Sequence, residues 1–470
     1  MNTAQPLWTS TDAAAATGGR ATERFAATGL SIDTRTLEKG DMFVALGGPN
    51  FDGHDFVADA FGRGASSALV SREIAGAGPQ LVVAETLDGL TALARAGRAR
   101  MTGRVAAITG SVGKTGTKEA LAHALAAQGS VSASKSSLNN HWGVPLSIAR
   151  MPADADYGVF EIGMNHPGEI TPLVALAKPD VAVVTAIAAA HMAFFNSLEE
   201  IAHAKAEIFT GLDGGTAVIN RDAPHFDLLA HLALQTGASH VVTFGRHAAA
   251  DMRLLECVSD AEGSDVEARW QGREIRFRIG QPGTHWAYNA LAVLAAADAM
   301  GADLDGAAES LATLPALPGR GAVHAVAWGE GRIRLIDDAY NANPESMAAA
   351  LKTLGHMIPD GGRRVAVLGD MRELGRTSRD AHAALADHVE KNGIDVVFLC
   401  GPEMKALADS LPAGRVAGHA ADAASLLPIV IAGLRAGDVV TVKASNGTGL
   451  GRIVNALLDR ASAKRAANGN

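Results

Sequence analysis

A lysine and a threonine at the foot of a helix, reached through a glycine turn, are well placed in this chain to hold a phosphate. The stretch "ITGSVGKTGTKEALAHAL" (108–125) reads as the end of a buried strand, then a turn, then a helix. The turn runs through Gly110, Ser111, Val112, Gly113, Lys114, Thr115 and Gly116. Backbone N–H groups in such a turn, together with the positive end of the helix, cradle phosphate oxygens. Lys114 can meet the β- and γ-phosphates of a nucleotide, and the Thr115 hydroxyl can bind Mg²⁺. A full P-loop has a glycine five residues before its Gly-Lys pair, and Ile108 stands there instead. A glycine turn with a solvated lysine is the bland alternative. Placement straight after an apolar strand and before a helix favours phosphate binding.

Other residues add to that chemistry. Glu161, in "VFEIGMNHPGEI", falls near the end of an apolar strand, where open α/β sheets place ligand groups. A carboxylate there needs a partner, either a metal ion or a structural cation. His191 follows the next strand and is either a satisfied core histidine or a metal ligand beside Glu161 and Thr115. Lys205 lies on the apolar stripe Leu198, Ile201, Ile208, Leu212. It either snorkels to water or stays partly neutral and reactive, able to add CO₂ and become an anionic carbamate. The helical pattern of 283–301 carries His285 and Asn289 in its first turns; Asn289 is an adenine contact or a polar residue near a helix start. "RLIDDAYNANPESM" (334–347) crowds Asp337, Asp338, Tyr340, Asn341 and Asn343 at a strand end, which points to ligand contact more than packing.

Three regions are expected to position these groups. Residues 1–101 hold short strands such as "MFVAL" (42–46) and "SALV" (67–70). Residues 102–314 alternate apolar strands with helices, which predicts a mostly parallel sheet covered on both faces. "LPALPGRG" (314–321) reads as a linker, and residues 315–470 as a smaller doubly wound domain with a frayed tail. The fold class expected is therefore α/β, in three domains.

Composition narrows the function. The 470 residues are 48% hydrophobic and 19% charged, as in ordinary globular proteins, and the net charge of −9 argues against general nucleic-acid binding. The two cysteines, Cys257 and Cys400, offer neither a disulfide framework nor a thiolate zinc site. No basic residue precedes Arg20, so a secretory leader is not expected, and the apolar run 181–195 is too short to span a membrane. A cytoplasmic protein is expected.

These pieces, in this order, resemble the Mur ligase family over nearly the whole chain. "TGSVGKTGTK" is similar to that family's short P-loop, which tolerates a residue like Ile108. "NNHWGVP" (139–145), "EIGMNHPGEI" (161–170), "AAAHMAFFNSLEEIAHAKAEIF" (188–209), "DDAYNANPESM" (337–347) and "VLGDMRELG" (367–375) resemble its blocks. The last two, with "MNHPGEI", favour its dipeptide-adding member. The resemblance implies a central ATPase-like domain between an N-terminal UDP-binding domain and a C-terminal Rossmann-like one. It also implies ATP-dependent joining of D-alanyl-D-alanine to UDP-MurNAc-tripeptide through an acyl phosphate. Lys114, Glu161, His191 and a carbamylated Lys205 would be catalytic, the last three with Thr115 holding Mg²⁺. ATP would meet the turn 110–116, His285, Asn289, Arg320 and Asp338. The UDP end would meet Ser31, Thr34, Arg35, Asp52, Gly53 and His54. Asn139, Asn140, Asn165, Tyr340, Asn341, Asn343 and Lys443 would bind the remaining substrate. A monomer is expected. Two positions depart from the pattern: Ala193, where an acidic residue is common, and Ala444, where "KASN" replaces a glycine-containing block. Sibling ligases, among them folylpolyglutamate synthetase, and a nucleotide-switched binding protein are the competing readings.

Overall fold

The computed structural model describes residues 6–189, 193–260 and 262–468, with side chains through residue 460. Among these residues the chain forms a five-stranded, a nine-stranded and a six-stranded sheet in turn, with two small two-stranded pairings. The three-domain α/β architecture expected from the sequence is what the chain adopts.

The nine-stranded sheet carries the phosphate turn. Its strand Arg104–Thr109 lies between Tyr157–Glu161 and Val181–Val184, parallel to both. Val105, Ala106, Ala107 and Ile108 are wholly buried, because helices cover both faces and leave no polar side to alternate with. The chain leaves this strand toward one side of the sheet and later returns on the other. That reversal opens a crevice at the carboxyl ends of the strands, directly above residues 110–116. The far edge departs from the expected βα alternation. Met252–Ser259, Ser264–Trp270 and Arg273–Ile279 form an antiparallel meander. The period-2 burial of Ser264–Trp270 shows why: only one face is covered, by the helix Thr284–Ala299.

The N-terminal sheet runs Arg20–Ala21, Gln80–Val82, Ser67–Val70, Asp41–Val44, Gly29–Ser31. Its core is continuous with one face of the central domain: Trp8, Leu30, Leu69 and Leu90 belong to the same buried cluster as Val105, Ile148 and Val174. The Trp8 Nε1–H donates to the Ala149 carbonyl at 2.9 Å, tying the two regions further. In the C-terminal sheet the hairpin Ala322–Trp328/Gly331–Asp338 precedes parallel pairings to Val439–Lys443, Arg364–Gly369, Val396–Cys400 and Val416–Ala420. Its two faces are covered by separate clusters.

Two local expectations shift. The helix bearing Lys205 is Leu198–Ala206, and the backbone then tightens into a 3₁₀ turn over Glu207–Gly211. The tail expected to fray instead continues the helix Gly451–Asn468. No helix among the described residues is long and apolar enough to cross a membrane.

Candidate active site

The P-loop turn is shaped by close approaches that only glycine permits. Gly110 has φ +151° and Gly113 φ +85°. A β-carbon on Gly110 would fall 1.9 Å from the Thr185 Oγ1, and one on Gly113 would fall 2.7 Å from the Asn289 Oδ1. Thr185 and Asn289 thus clamp the loop from the next strand and from the helix Thr284–Ala299. Thr185 donates to the Val112 carbonyl at 2.6 Å. Ser111 is held by the Ala186 and Ala188 backbone. Ile108 is wholly buried in the strand, so the missing glycine lies below the turn and costs it nothing.

Thr115 and Glu161 meet across neighbouring strand ends. The Thr115 hydroxyl donates to Glu161 Oε2 at 2.6 Å, and the Asn139 amide donates to Glu161 Oε1 at 2.7 Å. Glu161 is 1% exposed, and among the described residues the donors hydrogen-bonded to its carboxylate are neutral. Lys114 donates to the Gly110 carbonyl at 2.7 Å. Desolvation pushes its pKa down, Glu161 pulls it up, and the nearby Arg320 cation pushes it down again. Lys205 is buried at 1% exposure and does not line the cleft. Burial holds its pKa well below the ordinary lysine value, and the positive charge of Lys114 adds to the effect. No acidic side chain pairs with it among the described residues. His191 lies outside the described residues. Its neighbours Ala189 and Ala193 are tied to the C-terminal domain: the Ala189 N–H to Glu345 Oε1 at 3.3 Å, the Ala193 N–H to the Glu373 carbonyl at 3.0 Å.

The opposite wall comes from the linker and the third domain. Arg320 stacks over the Tyr340 ring at 4.4 Å and reaches Ser137 Oγ at 3.4 Å. Lys443 bonds Asp338 Oδ2 at 2.8 Å and the Asn341 carbonyl at 2.9 Å. Burial raises the Asp338 pKa, and Lys443 opposes that rise. Asn343 caps the helix Pro344–His356, accepting the Ser346 N–H at 2.8 Å, so its carbonyl oxygen already has a structural task. Ala444 causes no opening here, because its methyl packs where Gly369 has no β-carbon.

All these walls enclose one cavity of about 1220 Å³. Residues 111–116, Asn139, Asn140, Glu161, Asn165, His285 and Asn289 line it from the central domain. Arg320, Asp338, Tyr340, Asn341, Asn343 and Lys443 face them. Sequence reasoning missed Ser137, Glu345 and the helix face Asp88, Thr91 and Arg95, whose i, i+3, i+7 spacing signals one face but no chemistry.

The six residues expected at the UDP end form a different group, away from this cavity. The Ser31 hydroxyl donates to the Asp33 carbonyl at 2.9 Å, and Arg35 pairs with Asp33 at 2.6 Å. Thr34 bonds Asp59. Asp52 pairs with Arg72 at 2.8 Å. The Ser71 N–H donates to His54 Nε2 at 3.0 Å, so the ring proton sits on Nδ1, 2.6 Å from Asp52 Oδ1. A β-carbon on Gly53 would strike the Leu46 carbonyl at 2.5 Å.

A P-loop domain facing a Rossmann-like domain across one cleft, with a third domain sharing its core, is the architecture of a nucleotide-using ligase. The family models agree, region by region: Mur ligase family, catalytic domain, over residues 26–95; Mur ligase middle domain over 108–297; and Mur ligase, glutamate ligase domain over 319–446. The chain belongs to the Mur ligase family. Among its relatives is the UDP-N-acetylmuramoyl-tripeptide--D-alanyl-D-alanine ligase of Escherichia coli, 37% identical over 432 residues, which span 91% of this chain and 93% of that one. Among solved structures, MurF from Acinetobacter baumannii superposes with a TM-score of 0.83 at 28% identity, covering 96% of this chain and 99% of its own. MurF ligase from Thermotoga maritima, solved in complex with ADP, has a TM-score of 0.76 at 27% identity, covering 93% and 98%.

Proposed function

We propose that this chain is the ATP-dependent ligase that adds D-alanyl-D-alanine to UDP-MurNAc-tripeptide in peptidoglycan precursor synthesis, in the cytoplasm. The observation that carries this reading is the single cleft that sets Lys114, Thr115 and Glu161 against Arg320 and the Asp338–Lys443 pair. A carboxylate is a poor acylating agent. The tripeptide carboxylate therefore attacks the γ-phosphorus of ATP, giving an acyl phosphate and ADP. The dipeptide amine attacks the acyl carbon, the C–O bond to phosphate breaks, and amide, phosphate and a proton result. Lys114 supplies positive charge to the transferring phosphoryl group. Arg320, projecting from the linker, supplies a second cation from the opposite wall. Enclosure by three domains keeps water from the acyl phosphate.

Mg²⁺ fits the donors present. The Thr115 hydroxyl and the Glu161 carboxylate are both oxygen ligands, buried and within 2.6 Å of one another. Among the described residues no group of three His, Cys, Asp or Glu side chains forms a closed cage. One carboxylate completed by substrate phosphates is how Mg²⁺ is usually held. When bound, the ion neutralises phosphate charge. Lys205 fits a carbamate: burial and the charge of Lys114 lower its pKa and so favour the neutral amine, the form that adds CO₂ with an N–C bond made and a proton released. The resulting anion would offset the charge of Lys114, and the residues expected to hold Mg²⁺ when it is bound are Thr115, Glu161 and, by resemblance, His191 and the carbamate of Lys205.

The segment Ser31–Arg35 and the turn Asp52–His54 hold the UDP end. Arg35, whose side chain is 84% exposed beside Asp33, is the contact to the substrate, while Ser31, Asp52 and His54 set the loop shapes. His285 and Asn289 sit at the nucleotide, and Asn139, Asn140, Asn165, Tyr340 and Asn341 at the peptide. The protein acts as a monomer. Phosphate release from ATP with UDP-MurNAc-tripeptide, with and without D-alanyl-D-alanine and with a panel of other amines, is the test. Preference for another amine points to a sibling ligase, and release without any amine or new amide points to a nucleotide-driven switch.

A further inference from the structure

Lys118 stands one turn beyond Lys114 on the P-loop helix and has no exposed surface. A buried ammonium must find anionic or carbonyl partners to replace its lost hydration. Glu119 supplies the charge. Lys118 Nζ also donates to the carbonyl of Ser134 and, at 3.2 Å, to that of Ser136. Ser136 is at φ +52°, a left-handed backbone that a β-carbon disfavours. An ion pair with Glu119 alone would need neither burial nor these two carbonyls. Both belong to the start of the loop that carries Ser137 and Asn139. Asn139 donates its amide to Glu161 and accepts the Gly163 N–H at 2.9 Å, while Ser137 meets Arg320.

We infer that Lys118 is a positioning residue for the reaction: by fastening loop 134–139 to the P-loop helix, it sets through Asn139 the orientation of the Glu161 carboxylate beneath the phosphate turn. The inference rests on the ligase reading for its kinetic consequences and on geometry for the rest. Lys118→Met keeps the volume and removes the donors. kcat falls about 10- to 100-fold, as when the outer partner of a metal or phosphate ligand is lost, and KM for ATP barely moves, since the P-loop itself is intact. A merely structural lysine would lower the melting temperature and the yield of folded enzyme, not the turnover of folded molecules.

A double-mutant cycle with Asn139→Ala decides whether the effect runs through Asn139. Non-additivity of about tenfold is expected, and additive losses overturn the inference. Should Lys118→Met not fold, Lys118→Arg enters the same cycle, because a planar guanidinium cannot reproduce the ammonium's grip on both carbonyls. Amide hydrogen exchange over residues 134–140 reads the claim without the reaction. Lys118→Met must speed exchange in that segment, and unchanged exchange overturns the inference whatever the substrate. Wild-type enzyme that lacks amine-dependent phosphate release sinks the ligase reading instead, so the two failures are distinguishable.

Discussion

The P-loop cleft and the N-terminal polar cluster look alike as sequence and behave differently as structure. Both are dense in polar and charged residues near strand ends. In the cleft, the bonds that matter join elements far apart in the chain: Thr115 to Glu161, Asn139 to Glu161, Lys443 to Asp338, Arg320 to Ser137. They leave Lys114, Asn289, Gly113 and Gly116 lining a shared cavity. In the N-terminal cluster the bonds are shorter in range: three span two residues, and those from His54 to Ser71 and from Asp52 to Arg72 span 17 and 20. Asp33 holds Arg35, and Asp52 holds His54 and Arg72, so Ser31, Asp52 and His54 are consumed by the fold that carries them. Polar density signals a ligand only where the fold has left donors unspent.

The largest effect expected from breaking this contrast is at Lys114. Lys114→Ala should lower turnover by ~10²–10³ or more, because it removes charge stabilisation aimed at the transferring phosphoryl group. The melting temperature should hardly change. Near-normal phosphate release from a folded variant would contradict the P-loop assignment.

Lys205 comes next. Lys205→Ala should slow ligation by about 10- to 100-fold, with partial recovery on adding acetate or formate, which can stand in for the carbamate. Wild-type enzyme loaded with ¹³C-bicarbonate should show a carbamate resonance that the variant lacks. A fully active, metal-loaded enzyme without that resonance would remove the carbamate from the scheme.

The N-terminal cluster should divide into two kinds of residue. Arg35→Ala should raise KM for the UDP substrate about tenfold, the scale of one charge-assisted contact, and leave stability nearly unchanged, since an exposed pair with Asp33 is worth ~0–1 kcal/mol. His54→Ala should do the reverse: about 1–3 kcal/mol of stability lost, because the half-buried Ser71 N–H loses its acceptor, with little change in kcat well below melting. A large KM effect at His54 without loss of stability would show that its side chain meets substrate, and would blur the contrast.

The smallest effect is electrostatic. Arg72, then His54, holds the Asp52 carboxyl below its ordinary range. A depressed folded pKa contributes stability above the unfolded value of ~3.9, and that stability is lost as pH falls through the folded value. Asp52→Asn should therefore flatten the acid limb of a stability–pH curve below about pH 4. The carboxylate is 40% exposed, so solvent screening limits the difference to less than ~1 kcal/mol. An unchanged acid limb would show that the pair with Arg72 is screened out.

Local patterns in the sequence were enough for the strand–turn–helix of residues 104–126, the apolar strands 157–161 and 181–184 and the helix at 284–299. Each rests on short-range rules: apolar runs for covered strands, glycine where φ is positive, apolar periodicity along a helix. The antiparallel meander over 252–279 was missed, although 264–270 and 273–279 alternate covered and charged exposed positions, the signal of a half-covered strand. The departures from family pattern were also legible, yet not their consequence. Ala444 reads as a lost glycine, and only packing shows that Gly369 supplies the space.

What the sequence by itself determined is therefore the parts: a phosphate-binding turn, a buried lysine on an apolar helix face, a polar strand end, and a chain divided among three α/β regions. What only the tertiary structure decided is which parts meet. The pairing of Glu161 with Thr115 and Asn139, the stacking of Arg320 on Tyr340, and the single core that joins the N-terminal sheet to the central one all depend on strand order and domain docking. The physical reason is range. Propensity, capping and periodicity act over a few residues and are written locally. A hydrogen bond between residues 46 or 102 positions apart exists only after sheet topology has brought its ends together, and no local pattern encodes that meeting.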